Sequence, residues 1–199
     1  MDGGSEVVEA LSAVNDLRTH PYRAYVVWSL GSIAEWARIW HDVAQVSPSP
    51  SIRERFRCER ATQAALADAL IVVAWGLDDA DPEVRSMAYR LYGAGGTSPA
   101  VPEALIQRAD EETHEFAKAF LVRAVLEWTL RHPDSVQSAE YASWVRLQVG
   151  AGGPALAAKV LAVRSAAHIS ATQRARATEL LGAVPTPGMG PMWPSDSLG

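Results

Sequence analysis

Clusters of proline, glycine and aspartate divide this chain into segments that have the length of α-helices. The clearest breaks are Ser47–Pro50, Asp78–Pro82, Gly93–Gly96 and Gly150–Pro154. Between these breaks apolar residues recur every three or four positions, as they do on one face of a helix. No segment shows the bounded apolar–polar alternation that is typical of a strand. We therefore predict an all-α protein.

The predicted helices lie at 5–17, 22–46, 51–77, 82–92, a short helix ending near 109, 113–130, 135–149, 155–167 and 171–181. Ser170 is the predicted cap of the last helix. We assign 1–184 to one helical domain. Residues 185–199 contain four prolines and three glycines, so we predict that this tail is disordered.

The most distinctive segment runs from Asp81 to Gly93 and reads DPEVRSMAYRLYG. We expect Asp81 to cap a helix and Pro82 to occupy its first position, where a missing N–H costs little. Arg85 is expected to point outward or toward the neighbouring turn, and Gly93 to end the helix. The predicted inward-facing stripe consists of Val84, Ala88 and Leu91.

This segment resembles the second helix of a HEAT repeat, whose pattern is Asp-Pro-x-Val-Arg-x-x-Ala-x-x-x-Leu-Gly. Tyr92 stands where that pattern usually has leucine. Helices opening near Asp81, Thr113 and Pro154 would be the second members of successive pairs, at separations of 32 and 41 residues. The resemblance implies an α-solenoid of about four stacked antiparallel helix pairs plus a C-terminal helix. The repeat-signature residues are Asp81, Pro82, Val84, Arg85, Ala88 and Gly93.

Few residues point to catalysis. Cys58 is the one cysteine, which excludes an internal disulfide and a multi-thiolate zinc site. The Glu-x-x-His spacing of Glu111–His114 can chelate a metal from one helix face, but a di-iron bundle needs a second copy and none exists. We interpret this stretch as a plain acidic helix start, and we expect no catalytic residue, no metal and no cofactor.

Three tryptophans, Trp28, Trp36 and Trp40, share one long predicted helix and fall within ~120° of its circumference. They belong either to the core or to an exposed aromatic wall. Burial is the simplest explanation for most of the seven tryptophans. The candidate partner-binding residues are Trp36, Trp40, Arg53 and Arg57.

The resemblance also carries an alternative function. Some HEAT-like DNA glycosylases hold a cationic alkylated base with tryptophan and aspartate, and Asp42 is the candidate carboxylate here. The net charge of −5 argues against this alternative, because DNA binding needs a basic surface. Nucleic acid is therefore an unlikely partner.

Charge and hydropathy limit the remaining classes. The acidic N-terminus does not have the pattern of a secretory signal, and no apolar run reaches the roughly 20 residues of a membrane span, so we expect a cytoplasmic protein without a membrane partner. The block from Asp78 to Glu115 carries a net charge of −6, either as solvated turns or as a ridge for a basic partner. We predict a non-catalytic interaction module or scaffold that binds another protein, with self-association through terminal repeats as a further expectation.

Overall fold

The structure, a computed structural model, describes residues 3–13, 16–46, 49–51, 65–71, 73–96, 98, 100–165 and 169–181. Within residues 37–46 the description covers the backbone and not the side chains. All regular secondary structure in the described residues is helical, which confirms the all-α class. The predicted tail, 185–199, lies outside the described residues.

The described residues form the following α-helices: α1 (Gly3–Ser12), α2 (Arg23–Val46), α3 (65–71), α4 (Pro82–Gly95), α5 (Ala100–Arg108), α6 (Glu115–Arg131), α7 (Ser138–Ala151), α8 (Gly153–Leu161) and α9 (Ala171–Leu181). Short 3-10 helices lie at Leu17–Thr19, Ala74–Asp78 and Ala162–Ser165. Three predicted helices were therefore too long: those expected to end near 17, 77 and 167. In the last two cases a 3-10 helix lies inside the segment predicted as α-helix, and the first α-helix ends at Ser12.

Helix α6 lies at the centre of the packing and contacts α4, α5, α7, α8 and α9. Twelve of its side chains are buried, among them every residue from Ala124 to Leu130. The buried residues that precede Ala124 lie on more than one face of α6. A helix that is covered on all sides needs apolar residues around most of its circumference. At ~25 cal/mol per Å² of apolar area, the burial of Trp128 alone contributes several kcal/mol to folding.

Helices α2, α4, α6 and α8 pack side by side in that order, and we call them the even row. Near the helix starts, Arg23 of α2 pairs with Asp79 just before α4. Farther along the same helices, Glu35 of α2 pairs with Arg90 of α4. Because early residues meet early residues and late residues meet late ones, α2 and α4 run parallel.

The relation between α4 and α6 follows the same rule. Arg85, in the first turn of α4, pairs with Glu112 just before α6. At the other end, the Arg131 guanidinium donates a hydrogen bond to the carbonyl of Gly93, near the end of α4. These two helices are also parallel, and the chain between them returns through α5.

Helices α5, α7 and α9 lie beside this row. Helix α7 packs against α6, α8 and α9, and α5 packs against α6. The Tyr141 hydroxyl of α7 donates to Glu103 of α5 over 3.3 Å. Burial and this carboxylate raise the pKa of Tyr141 to about 12, so the hydroxyl stays protonated and keeps donating.

Local chemistry at the start of α4 agrees with the sequence. The Asp81 side chain accepts a hydrogen bond from the backbone N–H of Glu83 over 2.9 Å, and Pro82 is the first helical residue. The predicted inward stripe of Val84, Ala88 and Leu91 is fully buried. At the start of α9, Ser170 accepts from the N–H of Gln173, which confirms that predicted cap as well.

The role predicted for Gly93 was wrong. Helix α4 continues to Gly95, so Gly93 lies inside the helix and does not end it. A Cβ at this position would lie 2.8 Å from both Cα and Cβ of Ala124 in α6. Glycine is needed at residue 93 because α4 and α6 touch there, backbone against backbone.

We expect Gly93→Ala to lower the free energy of unfolding by about 2 kcal/mol, because the new methyl group must push α4 away from α6. Gly150→Ala is the matched control, since its Cβ would meet nothing within 4 Å and alanine favours a helix. Urea denaturation followed by circular dichroism measures both changes. Equal stability of Gly93→Ala and the wild type would contradict the close contact.

Candidate interaction surface

A buried carboxylate joins the starts of α4 and α6. Glu112 accepts two hydrogen bonds from the Arg85 guanidinium, at 2.7 and 2.8 Å. It also accepts from the Tyr89 hydroxyl at 3.0 Å and from the backbone N–H of His114 at 3.0 Å. Each carboxylate oxygen is therefore used twice, which satisfies the buried charge. This arrangement is a structural brace with no reactive group left over.

Arg85 points toward the neighbouring turn, one of the two directions expected for it. Its guanidinium also donates to the backbone carbonyls of Asp79 and Ala80, at 2.7 and 3.1 Å. The Asp79 carboxylate accepts a bidentate pair from Arg23 at 2.9 and 3.0 Å. One chain of hydrogen bonds therefore crosses from α2 through the turn before α4 to the turn before α6.

The pKa of Glu112 reflects its surroundings. Burial raises the pKa of this carboxyl group, but the combined effect of Arg85, the His114 N–H and the Tyr89 hydroxyl is larger and lowers it below the ordinary glutamate value. Burial and Glu112 together raise the pKa of Tyr89 above its usual value. At neutral pH the carboxylate is charged and the phenol is protonated, as the hydrogen bonds require.

A second set of charges crosses the middle of the even row, and we call it the charge row: Glu35, Arg90, Glu127, Arg123 and Lys159. Glu35 accepts a bidentate pair from Arg90 at 2.7 and 2.6 Å, which raises the pKa of Arg90 above its usual value. Arg123 donates to Glu127 over 2.8 Å. Lys159, on α8, lies over the rings of Phe116 and Phe120.

The α2 aromatic surface consists of Tyr22, Tyr25, Trp28 and Trp36. All four side chains are exposed, Tyr25 to 69% and Trp36 to 60%. The rings of Tyr25 and Trp28 contact each other at a centroid distance of 5.5 Å. Beside them lies an apolar cleft of about 400 Å³ between α1 and α2, lined by Leu11, Tyr22, Tyr25, Val26 and Ser29.

These exposures decide between the two interpretations of the tryptophans on α2. The face of α2 that carries Trp28 and Trp36 lies opposite the buried face, where Val27, Leu30 and Ala34 pack. A 3.6-residue period tells which residues share a face, but not which face is buried. Trp28 and Trp36 therefore form an exposed aromatic wall, and the expectation that burial explains most tryptophans was wrong for this pair.

The other three predicted partner-binding residues have no described side chains, so they are not part of the α2 aromatic surface as defined here. Trp40 belongs to α2, but its side chain lies outside the described residues, and so do Arg53 and Arg57. The predicted repeat-signature residues are all described. Val84, Ala88 and Gly93 are buried, Asp81, Pro82 and Arg85 are half-buried at or near the start of α4, and none belongs to the α2 aromatic surface.

One sequence interpretation near α6 needs correction. Glu112 was taken for part of a plain acidic helix start, whereas it is buried and pairs with Arg85, 27 residues earlier. At the other end of α6, His132 is half-buried and stacks on Trp128 at 4.2 Å. Within the described residues no cluster of histidine, cysteine and carboxylate side chains has metal-site geometry.

A cavity of about 490 Å³ lies between α2, α3 and α4. Its walls are mainly apolar, and the Tyr92 hydroxyl beside it donates to the carbonyl of Leu70 over 2.7 Å. Neither this cavity nor the cleft beside α1 brings a tryptophan together with a carboxylate, the pair that a glycosylase pocket needs. Asp42 lies outside the described side chains, so the glycosylase alternative stays a prediction.

Comparisons of this chain with protein-family models, with curated proteins and with solved structures gave no match. Across the part of the chain that the structure describes, none of the helices has both the length and the apolar character of a membrane span. The functional argument therefore starts from the geometry of the chain's own side chains.

We expect Glu112→Gln to lower the free energy of unfolding at pH 7 by about 2 kcal/mol, because Arg85 loses its buried counter-charge. The folded-state pKa of Glu112 is depressed, so its contribution is complete above the ordinary glutamate pKa of about 4.3 and is lost as pH falls through the folded value. The free energies of unfolding of the wild type and Glu112→Gln should therefore converge below the folded-state pKa of Glu112.

Glu111→Gln is the matched control for this experiment, because Glu111 is the adjacent acid and is exposed. Its stability should stay within about 0.5 kcal/mol of the wild type. Chemical denaturation between pH 3 and pH 7 measures both variants. An equal loss in Glu111→Gln, or a loss in Glu112→Gln that is independent of pH, would count against a specific Arg85–Glu112 brace.

Proposed function

We propose that this chain is a HEAT-like α-solenoid that binds another protein through its α2 aromatic surface. The observation that carries the proposal is the exposure of Tyr25, Trp28 and Trp36 on α2 and of Tyr22 directly before it. Tyrosine and tryptophan are enriched at the energetic centres of protein interfaces, where large rings lose little conformational entropy on binding. No reactive constellation among the described residues competes with this interpretation.

The order of packing supports the solenoid part of the proposal. In a stack of helix pairs, each helix packs against the corresponding helix of the next pair. The contacts of α2 with α4, of α4 with α6 and of α6 with α8 follow this order. Helices α4, α6 and α8 begin at Pro82, Glu115 and Gly153, at intervals of 33 and 38 residues. Both intervals are in the range of helix-pair repeats, although they are shorter than the ~40–47 residues of a HEAT repeat.

The links between units also support it. Arg85, at the fifth position of the Asp-Pro-x-Val-Arg signature, ties the turn before its own helix to the turn before the next even helix. A repeat in which each turn is bonded to the next stacks in one register. Interface energy between neighbours is what stabilises repeat proteins, because a single pair cannot bury its own apolar face.

The C-terminal end of the described chain differs from the α2 side. Within α9, Ala177 and Leu181 are buried, whereas Arg174 and Glu179 are exposed. A polar outer face is typical of a helix that caps a stack. The aromatic residues on α2 therefore favour a partner at the N-terminal side, and this is also where self-association would occur if the partner is a second copy.

A double variant, Trp28→Ser with Trp36→Ser, should lose at least about thirtyfold in partner affinity, as truncation of interface hot spots does. The control is Leu147→Ser, which removes a side chain that is 71% exposed on α7, away from α2. Affinity capture with each immobilised protein finds the partner, and titration calorimetry with the purified partner measures its affinity. Gel filtration of the chain alone reports self-association.

The proposal requires that the control retains the partner and that the double variant, with an unchanged thermal midpoint, does not. Equal retention by both variants would remove the α2 aromatic surface from the interface. If the wild type binds nothing saturably and stays monomeric, the interaction function itself is wrong.

A further inference from the structure

The charge row ends on a cation without a matching acid. Its first two acids are each taken by an arginine, Glu35 by Arg90 and Glu127 by Arg123. Lys159 follows on α8 and forms no ion pair among the described residues. The five residues of the row therefore sum to a local charge of +1, located at its α8 end.

Aromatic rings hold this lysine in place. The Nζ atom of Lys159 lies 4.7 Å from the ring centroid of Phe116 and 4.5 Å from that of Phe120. The two rings meet edge to face at 4.9 Å, and Phe116 is 46% exposed. A cation over two rings is attracted by their faces, but its positive charge remains available to an anion from the solvent side.

The surroundings make the positive charge of Lys159 costly. Burial lowers the pKa of Lys159, and the like charges of Arg123 and Arg90 lower it further. An anion bound beside Nζ would offset both effects, because it would replace lost hydration and screen the two guanidinium groups. A negative group bound next to Lys159 and Arg123 would therefore be stabilised.

We propose that Lys159 and Arg123 bind a carboxylate side chain in an acidic segment of the protein partner, and that Phe116 packs against an apolar neighbour of that carboxylate. This inference rests on the proposed function, because it assigns the chemistry of the same partner. A carboxylate fits better than nucleic acid. Among the described residues the site has one cation without an ion pair, and the chain has a net charge of −5, whereas duplex binding needs many phosphate contacts.

The even row gives the partner segment an approximate length. Packed helices lie about 8–10 Å apart, so α8 is about 27 Å from α2 along the row. An extended chain advances about 3.3 Å per residue. A partner segment of about eight residues would therefore be long enough to extend from α2 to α8, with its acidic residues at the α8 end.

The chain offers a clean reporter for this site, because its only lysines are Lys118 and Lys159. Protein labelled with ¹³C at lysine Cε gives two resonances, which Lys118→Met assigns. The probe is the peptide acetyl-Glu-Glu-Leu-Glu-Glu-Leu-amide, with its glutamine counterpart as the uncharged control and a dT12 oligonucleotide as the nucleic-acid probe.

We expect the acidic peptide to shift the Lys159 resonance saturably and to leave Lys118 unmoved, while the glutamine peptide shifts neither. Equal shifts at both lysines, no shift at millimolar peptide, or tighter binding of dT12 at the same salt concentration would each overturn the proposal. Lys159→Met keeps an unbranched side chain against the two rings, and an unchanged thermal midpoint verifies its fold.

The captured partner provides the second arm of the test. Lys159→Met should weaken partner binding about tenfold and flatten its salt dependence, whereas Lys118→Met should change neither. If the Trp28→Ser, Trp36→Ser variant loses the partner but Lys159→Met binds it as the wild type does, the acidic-segment inference is wrong and the proposed function stands. If no partner binds at all, the proposed function is the part that fails.

Discussion

The ion pair between Arg85 and Glu112 is the interaction on which the arrangement of this molecule depends. It is buried, bidentate and completed by Tyr89 and the backbone of His114, so neither charge is left without partners. Taking away either partner would strand the other in a region with little water. The pair joins the start of α4 to the start of α6, the two central helices of the even row.

The parallel packing of the even row brings side chains from separate helices into contact. Because α2, α4 and α6 run parallel, residues at equal heights along neighbouring helices lie close together. Glu35 pairs with Arg90 in this way, as Arg23 pairs with Asp79. The close contact of Gly93 with Ala124 holds α4 against α6 at the far end. The brace at the starts and the contact near the ends together fix the position of α4 against α6, the two helices that carry Arg90, Arg123 and Glu127 of the charge row.

Local parts of this structure could be predicted from the sequence, and long-range parts could not. Asp81 and Pro82 act within one helical turn, so their roles follow from residue type alone. Glu112 is buried against a residue 27 positions away, and the need for glycine at residue 93 comes from its contact with Ala124 of another helix. For Trp36, helical periodicity defined its face, but the choice between core and solvent depended on how α4 packs against α2. The sequence signals for this ion pair were Arg85 in the Asp-Pro-x-Val-Arg signature and Glu112 in the turn before α6.

Parallel helices carry an electrostatic consequence of their own. Each peptide dipole in α2, α4 and α6 points the same way, so three partly positive N-terminal ends lie next to one another at one edge of the molecule. Asp79, Asp81 and Glu112 lie at that edge. Their carboxylates accept hydrogen bonds from backbone N–H groups at this edge. Part of the excess of acid between Asp78 and Glu115 therefore lies where helix N-termini favour negative charge.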